Sequence, residues 1–446
     1  MAFIFNSLFM ALVFVIYSRI KQSLASPFSD WILIPLWIAW EHGHTLWDLT
    51  WTWLTLGNVF AFNHAWVQWY EFTGTSGGTF WVLFTNILVY KTIKQNASLK
   101  LVSAPIIKIA AAIIVPIFIS YLIFFVRSTS LNSYKTVSVV IVQPNIDPYN
   151  DKFNWDFKYQ FEKSIKILDG TVGQKTDFII FPETFITENI DEETISSREE
   201  INWFRDSLIR KFPRVKIITG ANTYVIYKSD SAASSTARKD ERGIYFDVYN
   251  TALQIDSTQV EIYHKSKLVP GVERMPFPAL LKPLESFAIN MGGTMGSLGT
   301  QPQRSVFTNK ANEASIAPVV CYESIFADYM TEYVRMGANL IFIVTNDGWW
   351  DNTPGYFQHL NFARLRAIEN RREIARCANT GISCFIDMYG NISQETDWWK
   401  EALIKKDLHL NNNLTFFSRF GDLISYISVA CSILLIIWAF LLHLRK

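Results

Sequence analysis

The sequence is poor in cysteine and close to electroneutral, and both shortages exclude function classes. Its 446 residues include four cysteines, Cys321, Cys377, Cys384 and Cys431. Their spacing fits no zinc ribbon, CxxC redox pair or dense disulfide framework, so each thiol has to be judged alone. A formal net charge of +1 supplies no electrostatic footprint for nucleic acid. No GxGxxG or P-loop pattern occurs, which leaves no dinucleotide or nucleoside-triphosphate cradle. What is plentiful is apolar: hydrophobic residues make up 50% and aromatics 15%, and the excess is unevenly placed.

It gathers at the two ends. Residues 3–16, 31–40, 80–90 and 106–126 are apolar runs, as is 423–444, "LISYISVACSILLIIWAFLLHL". A helical span needs about 20 apolar residues, so 106–126 and 423–444 are sufficient alone and the shorter runs lean on their neighbours and flanking Trp and Tyr. The expected organisation is a membrane arm of about four spans over 1–130, a globular domain over 136–413 and a terminal span over 423–444. Lys91, Lys94 and Lys100 fall between the third and fourth runs, with Lys108 at the start of the fourth, and Arg445 and Lys446 close the chain. Positive residues favour the cytoplasmic side, so the domain between the last two spans is expected on the far side. Parity then puts Met1 outside without a charged leader, as in an arm lacking earlier spans. Residues 3–16 also have signal-peptide length, without a basic n-region or an A-x-A site.

Residues 41–78 are dense in Trp and Tyr and also carry Glu41, His42, His44, Asp48, His64 and Glu71, then "TGTSGG". Amphipathic rings at this density suit the headgroup level, as a lipid-facing entrance or as an ordinary interfacial belt. His42 and His44 form an isolated pair without the ligand set of a zinc site, and no metal is expected.

In the middle segment, runs at 137–145, 177–184, 215–223, 314–321 and 338–347 are short, apolar and β-branched, each bounded by turn residues, as buried strands are. Helical stretches at 157–168, 197–211, 324–336 and 359–376 alternate with several of them, which implies an α/β layered domain. Ligands collect at the carboxyl ends of strands in such sheets. Glu183 ends one strand in "FPET"; Cys321 ends another in "CYES", where a following helix N-terminus would favour a thiolate. "YHKSKLVPGVERMPF" places Lys265 and Glu273 on a loop marked by Pro and Gly. Taken singly, a strand-end cysteine is ordinary core filling and a lone lysine is solvated. Together they are a base, a cation and a nucleophile. Cys377 and Cys384 read as core, and Cys431 falls within the last span.

Glu183, Lys265 and Cys321, in that order and in those three motifs, resemble the Glu, Lys, Cys triad of the nitrilase, or carbon–nitrogen hydrolase, superfamily. The membrane arms narrow the resemblance to the bacterial apolipoprotein N-acyltransferases. It is carried also by "LTLGN", "QWYEFTGTSGGTF", "NDGWWDNTPGYFQHLNFARLRAIENRREIARCANTGIS" and "RFGD". The resemblance implies an αββα sandwich inserted between transmembrane helices, in the bacterial inner membrane with its catalytic domain periplasmic. It implies no cofactor, a monomer, a phospholipid acyl donor and a diacylglyceryl apolipoprotein acceptor, joined by ping-pong transfer through a Cys321 thioester. Glu273, Tyr322 and Glu323 match supporting residues, and Phe153, Trp349 and Glu71 are candidates for substrate contact. A tryptophan usual in the family after the first strand is replaced by Phe153 or shifted to Trp155, and the arm is about three spans short. The alternatives are a membrane-tethered amidase that hydrolyses a soluble amide, and an inactive nitrilase-fold scaffold.

Overall fold

The computed structural model describes residues 2–24, 26, 28–95, 103–128, 134–168, 170–229, 232–277 and 297–444. Lys100, Arg445 and Lys446, on which part of the expected orientation rests, lie outside them. The chain forms two compact units, residues 1–129 with 415–446, and residues 130–414.

The first unit is helical, with α1 (Ala2–Leu24), α2 (Leu33–Gly43), α3 (Tyr70–Gln95) and α4 (Ser103–Ser128), then the helices Phe416–Phe420 and Leu423–Leu444. Among the described residues three segments, Ile4–Leu24, Ala104–Ser128 and Leu423–Leu442, are long and apolar enough to cross a membrane. At 11 residues α2 extends roughly 16 Å, short of the ~30 Å hydrocarbon core. It packs instead through Leu36, Trp37 and Ile38 against Val13 and Ile20 of α1 and Leu83 and Ile87 of α3. Residues 41–78 are not a free loop. Glu41 is turned inward, one oxygen accepting from Trp37 Nε1 at 3.0 Å and Leu56 N at 2.8 Å, the other from Thr79 Oγ1 at 2.6 Å. Early in α3 the backbone breaks at Gly74, φ 60°, where a Cβ would come within 2.3 Å of the Phe417 ring. Asp422 caps the terminal helix by accepting from Ser425 N at 3.0 Å, and also accepts from Ser76 Oγ of α3.

In the second unit the strands are β1 (Thr136–Gln143), β2 (Phe178–Ile180), β3 (Ile186–Asp191), β4 (Lys216–Ile226), β5 (Arg238–Lys239), β6 (Tyr245–Ile255), β7 (Val260–His264), β8 (Phe307–Asn309), β9 (Ala314–Val320), β10 (Leu340–Thr345), β11 (Glu373–Ala378), β12 (Cys384–Ile386), β13 (Ile392–Ser393) and β14 (Ala402–His409). Among the described residues they make two mixed sheets. One runs β14-β1-β2-β4-β6-β5, with β3 on β4 and β7 on β6; the other runs β13-β12-β11-β10-β9-β8. The central pairs are parallel: β1 with β2 and β2 with β4 in one sheet, β9 with β10 and β10 with β11 in the other. Residues 137–142 of β1 and 340–345 of β10 are buried throughout, which is why both read as continuous apolar runs.

The sheets face each other. Phe178 of β2 meets Phe342 of β10 at 5.4 Å between ring centroids, and the Cys377 thiol of β11 lies 3.3 Å from the Val142 carbonyl and 3.4 Å from that of Ile180. On the outer side of the first sheet, Phe157 and Phe161 from helix Phe157–Ile167, with Ile201 and Phe204 from helix Glu199–Phe204, pack against Val140, Ile179 and Phe181. Helices Ala327–Arg335 and Pro354–Asn370 accompany the second sheet. The order is helix, sheet, sheet, helix.

One expected element changes. The helix read over 359–376 begins earlier and stops at Asn370; Arg371 is left-handed at φ 49°, and 373–378 form β11. The charges of "RREIAR" resemble a solvated helix face, yet Arg372 and Arg376 are buried with partners and the segment is a central strand.

Candidate active site

Sequence-distant polar groups converge at the ends of β2, β7, β9 and β10. Glu183 follows β2, with Thr184 left-handed at φ 46° beside it. Gly220 of β4 lies directly beneath, where a Cβ would come within 2.3 Å of Thr184 N and 2.6 Å of Glu183 Cα, so only glycine lets the Glu183 loop sit there. Lys265 follows β7 and is 1% exposed. Its Nζ donates to Glu183 Oε1 at 3.0 Å and Glu273 Oε1 at 2.8 Å. Asn250 of β6 donates to the same two oxygens at 2.8 and 3.1 Å, and Asn346 N donates to Glu183 Oε2 at 3.1 Å. Burial alone would raise the Glu183 carboxyl, but Lys265, Asn250 and Lys152 hold it below its usual value. Burial pulls the Lys265 ammonium down; Glu183 and Glu273 outweigh it and raise it well above the ordinary range. The pair is therefore ionised at rest.

Cys321 directly follows β9 with φ 48°, a strained conformation for a residue with a side chain that costs about 1–3 kcal/mol. Thr345 Oγ1 of β10 lies 3.3 Å from its Sγ and 3.1 Å from Asp347 Oδ1, so one hydroxyl hydrogen can serve either atom. A helix N-terminus next to the sulfur would favour a thiolate, as the sequence suggests. The structure reverses this, because burial first and then Glu183 push the thiol far up, against the pull of Lys265. The proton stays on sulfur until a base removes it.

Glu323, fully buried, ties the Cys321 turn to the lysine loop. Oε2 accepts from Val320 N at 2.9 Å, and Oε1 from Ser266 N at 2.7 Å, Tyr263 OH at 2.7 Å and Tyr329 OH at 2.6 Å. Glu273 accepts from Val269 N through its second oxygen at 2.8 Å, closing its own loop around Lys265. Tyr322 is buried, its ring 5.4 Å from that of Phe326.

The weaker candidates separate. Trp155 packs into the core of the first sheet, whereas Phe153 lies beside Lys152, whose Nζ is 5.8 Å from its ring centroid. Trp349 stands edge-on to Tyr149 at 5.2 Å. With its amide oxygen turned toward them, Asn346 accepts from Lys152 Nζ and Trp349 Nε1, each at 3.2 Å. Glu71 belongs to the helical unit, is 2% exposed and accepts from Arg127 Nη2 at 3.3 Å. Among the described residues no cluster of three or more His, Cys, Asp and Glu could hold a metal ion, and both ring nitrogens of His44 face donors, Trp47 Nε1 and Trp51 N.

Sequence reasoning missed Asn250, Thr345 and Lys152. Lys152 Nζ donates to the Glu183 carbonyl at 2.9 Å and Thr184 Oγ1 at 2.6 Å, holding the Glu183 loop. Burial pulls its ammonium down from 10.5 to about 8, against the pull of Glu183. An unfolded lysine keeps its proton to the higher value, so between these limits the unfolded chain binds more protons and this group's contribution to stability rises with pH. The stability difference between the native protein and Lys152→Met, from urea unfolding, is expected to climb across that window. A difference independent of pH would contradict a buried ammonium.

Residues 138–412 match the carbon-nitrogen hydrolase family. Over 434 residues the chain is 31% identical to the apolipoprotein N-acyltransferase of Chlorobaculum tepidum, covering 95% of this chain and 79% of that one. It is 24% identical over 403 residues to the enzyme of the same name from Geobacter metallireducens, covering 89% and 71%. Among solved structures, Saccharomyces cerevisiae Nit3, a member of branch 10 of the nitrilase superfamily, aligns with a TM-score of 0.42 at 13% identity, covering 66% of this chain and 94% of that one. By a family match over residues 138–412 and 31% identity to a relative along 95% of this chain, the chain belongs to the carbon-nitrogen hydrolase family and, within it, to the apolipoprotein N-acyltransferases, a family of acyltransferases.

Proposed function

We propose that the protein transfers an acyl chain from a phospholipid to the α-amine of an S-diacylglyceryl cysteine at a lipoprotein N-terminus, by way of a thioester on Cys321. The observation that carries the chemistry is the meeting of an ionised, buried Glu183–Lys265 pair with a protonated thiol on a strained strand end. Since the thiol is not ionised at rest, Glu183 takes its proton as Sγ attacks the sn-1 ester carbon. The oxyanion that forms is stabilised by Lys265 and backbone N–H groups. Collapse breaks the ester C–O bond, the leaving alkoxide takes the proton from Glu183, and lysophospholipid departs. The lipoprotein amine then attacks the thioester carbon, Glu183 accepts its proton, and breakage of the C–S bond returns thiol and amide.

Glu273 and Glu323 act through Lys265 and the loops, while Phe153, Trp349 and Glu71 are assigned to substrate contact. The phospholipid, by family resemblance often phosphatidylethanolamine, suits a chain whose described residues include three helices long and apolar enough to cross a membrane. Lys91 and Lys94 at the end of α3 and Lys108 in α4 support a cytoplasmic side there, with the catalytic domain periplasmic in a bacterial inner membrane. One chain carries base, cation and nucleophile, so a monomer suffices.

Detergent-solubilised protein incubated with phospholipid alone is expected to gain the mass of one acyl chain, then lose it to a diacylglyceryl peptide with a free amine. Acyl mass lost to water at the same rate with or without peptide would favour the tethered amidase. No acyl mass with any phospholipid or small amide would favour the scaffold.

A further inference from the structure

Behind Cys321 runs a line of buried polar groups that these steps do not use. Arg376 of β11 grips Asp347 with both terminal nitrogens, Nη1 to Oδ2 and Nη2 to Oδ1, each at 2.8 Å. His359, on helix Pro354–Asn370, faces both partners through Nδ1, at 3.1 Å from Arg376 Nη2 and 3.3 Å from Asp347 Oδ1. Its Nε2 is 3.1 Å from the carbonyl oxygen of Cys321 and 2.9 Å from Ser324 Oγ, which itself donates to that carbonyl at 2.8 Å. A carbonyl can only accept, so Nε2 carries a hydrogen whichever partner Nδ1 takes. All four side chains are at most 1% exposed.

An apolar cluster of the same volume would fill this space at less desolvation cost, so the charges call for a role beyond packing. Their common endpoint is the one carbonyl that belongs to the left-handed nucleophile. The peptide bond is planar and trans, so the Cys321 carbonyl and the Tyr322 N–H point in opposite directions from one rigid plane. Holding the oxygen therefore fixes the direction of the Tyr322 N–H.

We propose that His359 is a positioning residue for acyl transfer, steadied by the Asp347–Arg376 pair, and that it sets the orientation of the Cys321–Tyr322 peptide through the Cys321 carbonyl. The inference rests on the covalent reading of Cys321. Gln can place an amide N–H near the position of Nε2, whereas Leu fills the space without a donor.

The test is the pre-steady-state rate of Cys321 acylation, by phospholipid and by a p-nitrophenyl ester whose release of nitrophenolate needs no acceptor amine. For His359→Leu we expect a rate lower by about 10²-fold, the scale of a misplaced oxyanion donor, with KM for phospholipid near native. His359→Gln should recover about tenfold of that loss. Native-rate acylation by His359→Leu, or equal loss in the two variants, would overturn the proposal. If His359→Leu does not fold, Ser324→Ala removes the other donor on the same carbonyl: about tenfold slower acylation supports the brace, and a native rate overturns it. Should the native protein form the thioester yet never pass it to the peptide amine, the functional reading fails while the positioning result stands.

Discussion

Given a phospholipid, the Cys321→Ala protein is expected to gain no acyl mass, and its N-acylation of a diacylglyceryl peptide should fall about 10⁶-fold, the scale of losing the nucleophile from a covalent mechanism. No other thiol of the domain can stand in. Cys377 is fully buried, and burial raises its thiol well above the ordinary value despite nearby Arg376. Cys384 is equally buried, and burial brings it up to about 12. Neither occupies a strand end beside Glu183, and Cys431 lies in the terminal membrane-crossing helix. Alanine should leave stability almost unchanged, because the sulfur is held only by the 3.3 Å approach of Thr345 Oγ1. Intact mass and a peptide-acylation time course on the same sample decide the matter. Acyl mass retained by the variant would remove Cys321 from the mechanism.

The second large effect is expected from Lys265→Met, and it separates catalysis from folding by its pH dependence. Activity should drop about 10²–10³-fold as the cation for the oxyanion disappears. At neutral pH the folded state should lose about 3–5 kcal/mol, because Glu183 and Glu273 then share Asn250 with no cation between them. In the native protein the Glu183 carboxyl is depressed in the fold, so its stabilising contribution is present above its ordinary 4.5 and is lost as pH falls through the folded value. In the variant two like charges share the site and one carboxyl rises instead. That group stabilises the fold at low pH and ceases to as pH climbs through its raised value. The stability gap between the two proteins should therefore widen from about pH 4 to neutrality, which urea unfolding at several pH values reads directly. A double variant, Lys265→Met with Glu273→Gln, should recover part of the stability and none of the activity. A gap that is constant with pH would mean that the carboxylates do not depend on Lys265 for their charge.

Glu183 and Cys321 were legible as neighbours because each follows a strand that is easy to read, and Lys265 because its loop is marked. "DFIIFPET" and "ASIAPVVC" are apolar β-branched runs that stop at a polar residue, and Lys265 lies within a Pro- and Gly-marked loop. The groups around them were hidden by their own pairing. In β6, "YFDVYNTALQI" carries Asp247, Asn250, Thr251 and Gln254, all buried and bonded, so polar letters that look like a surface strand belong to the interior. Arg376 and Asp347 neutralise each other inside the domain, and the arginine made a central strand look like the end of a helix. In the membrane unit α3 starts at Tyr70, ten residues before the apolar run that announced it. Glu71, Thr75, Ser76 and Thr79 are turned inward along its first turns, so hydropathy understates its length. Residue type reports burial well only where the partner is water or hydrocarbon, and fails where one polar side chain answers another.

The Cys377 thiol, held between the two sheets against the carbonyls of Val142 and Ile180, also serves as a clock. A small alkylating reagent reaches it only when the sheets separate, so its labelling rate under native conditions counts openings of the sandwich. Cys321, at the end of the strand beyond the neighbouring β10, reacts from the closed form, at a speed set by its protonation. Read site by site, one reagent and one time course thus yield two signals, the reactivity of Cys321 and the lifetime of the closed domain around it. A substitution that dulls the first while leaving the second untouched has altered chemistry, and one that quickens the second has loosened the scaffold.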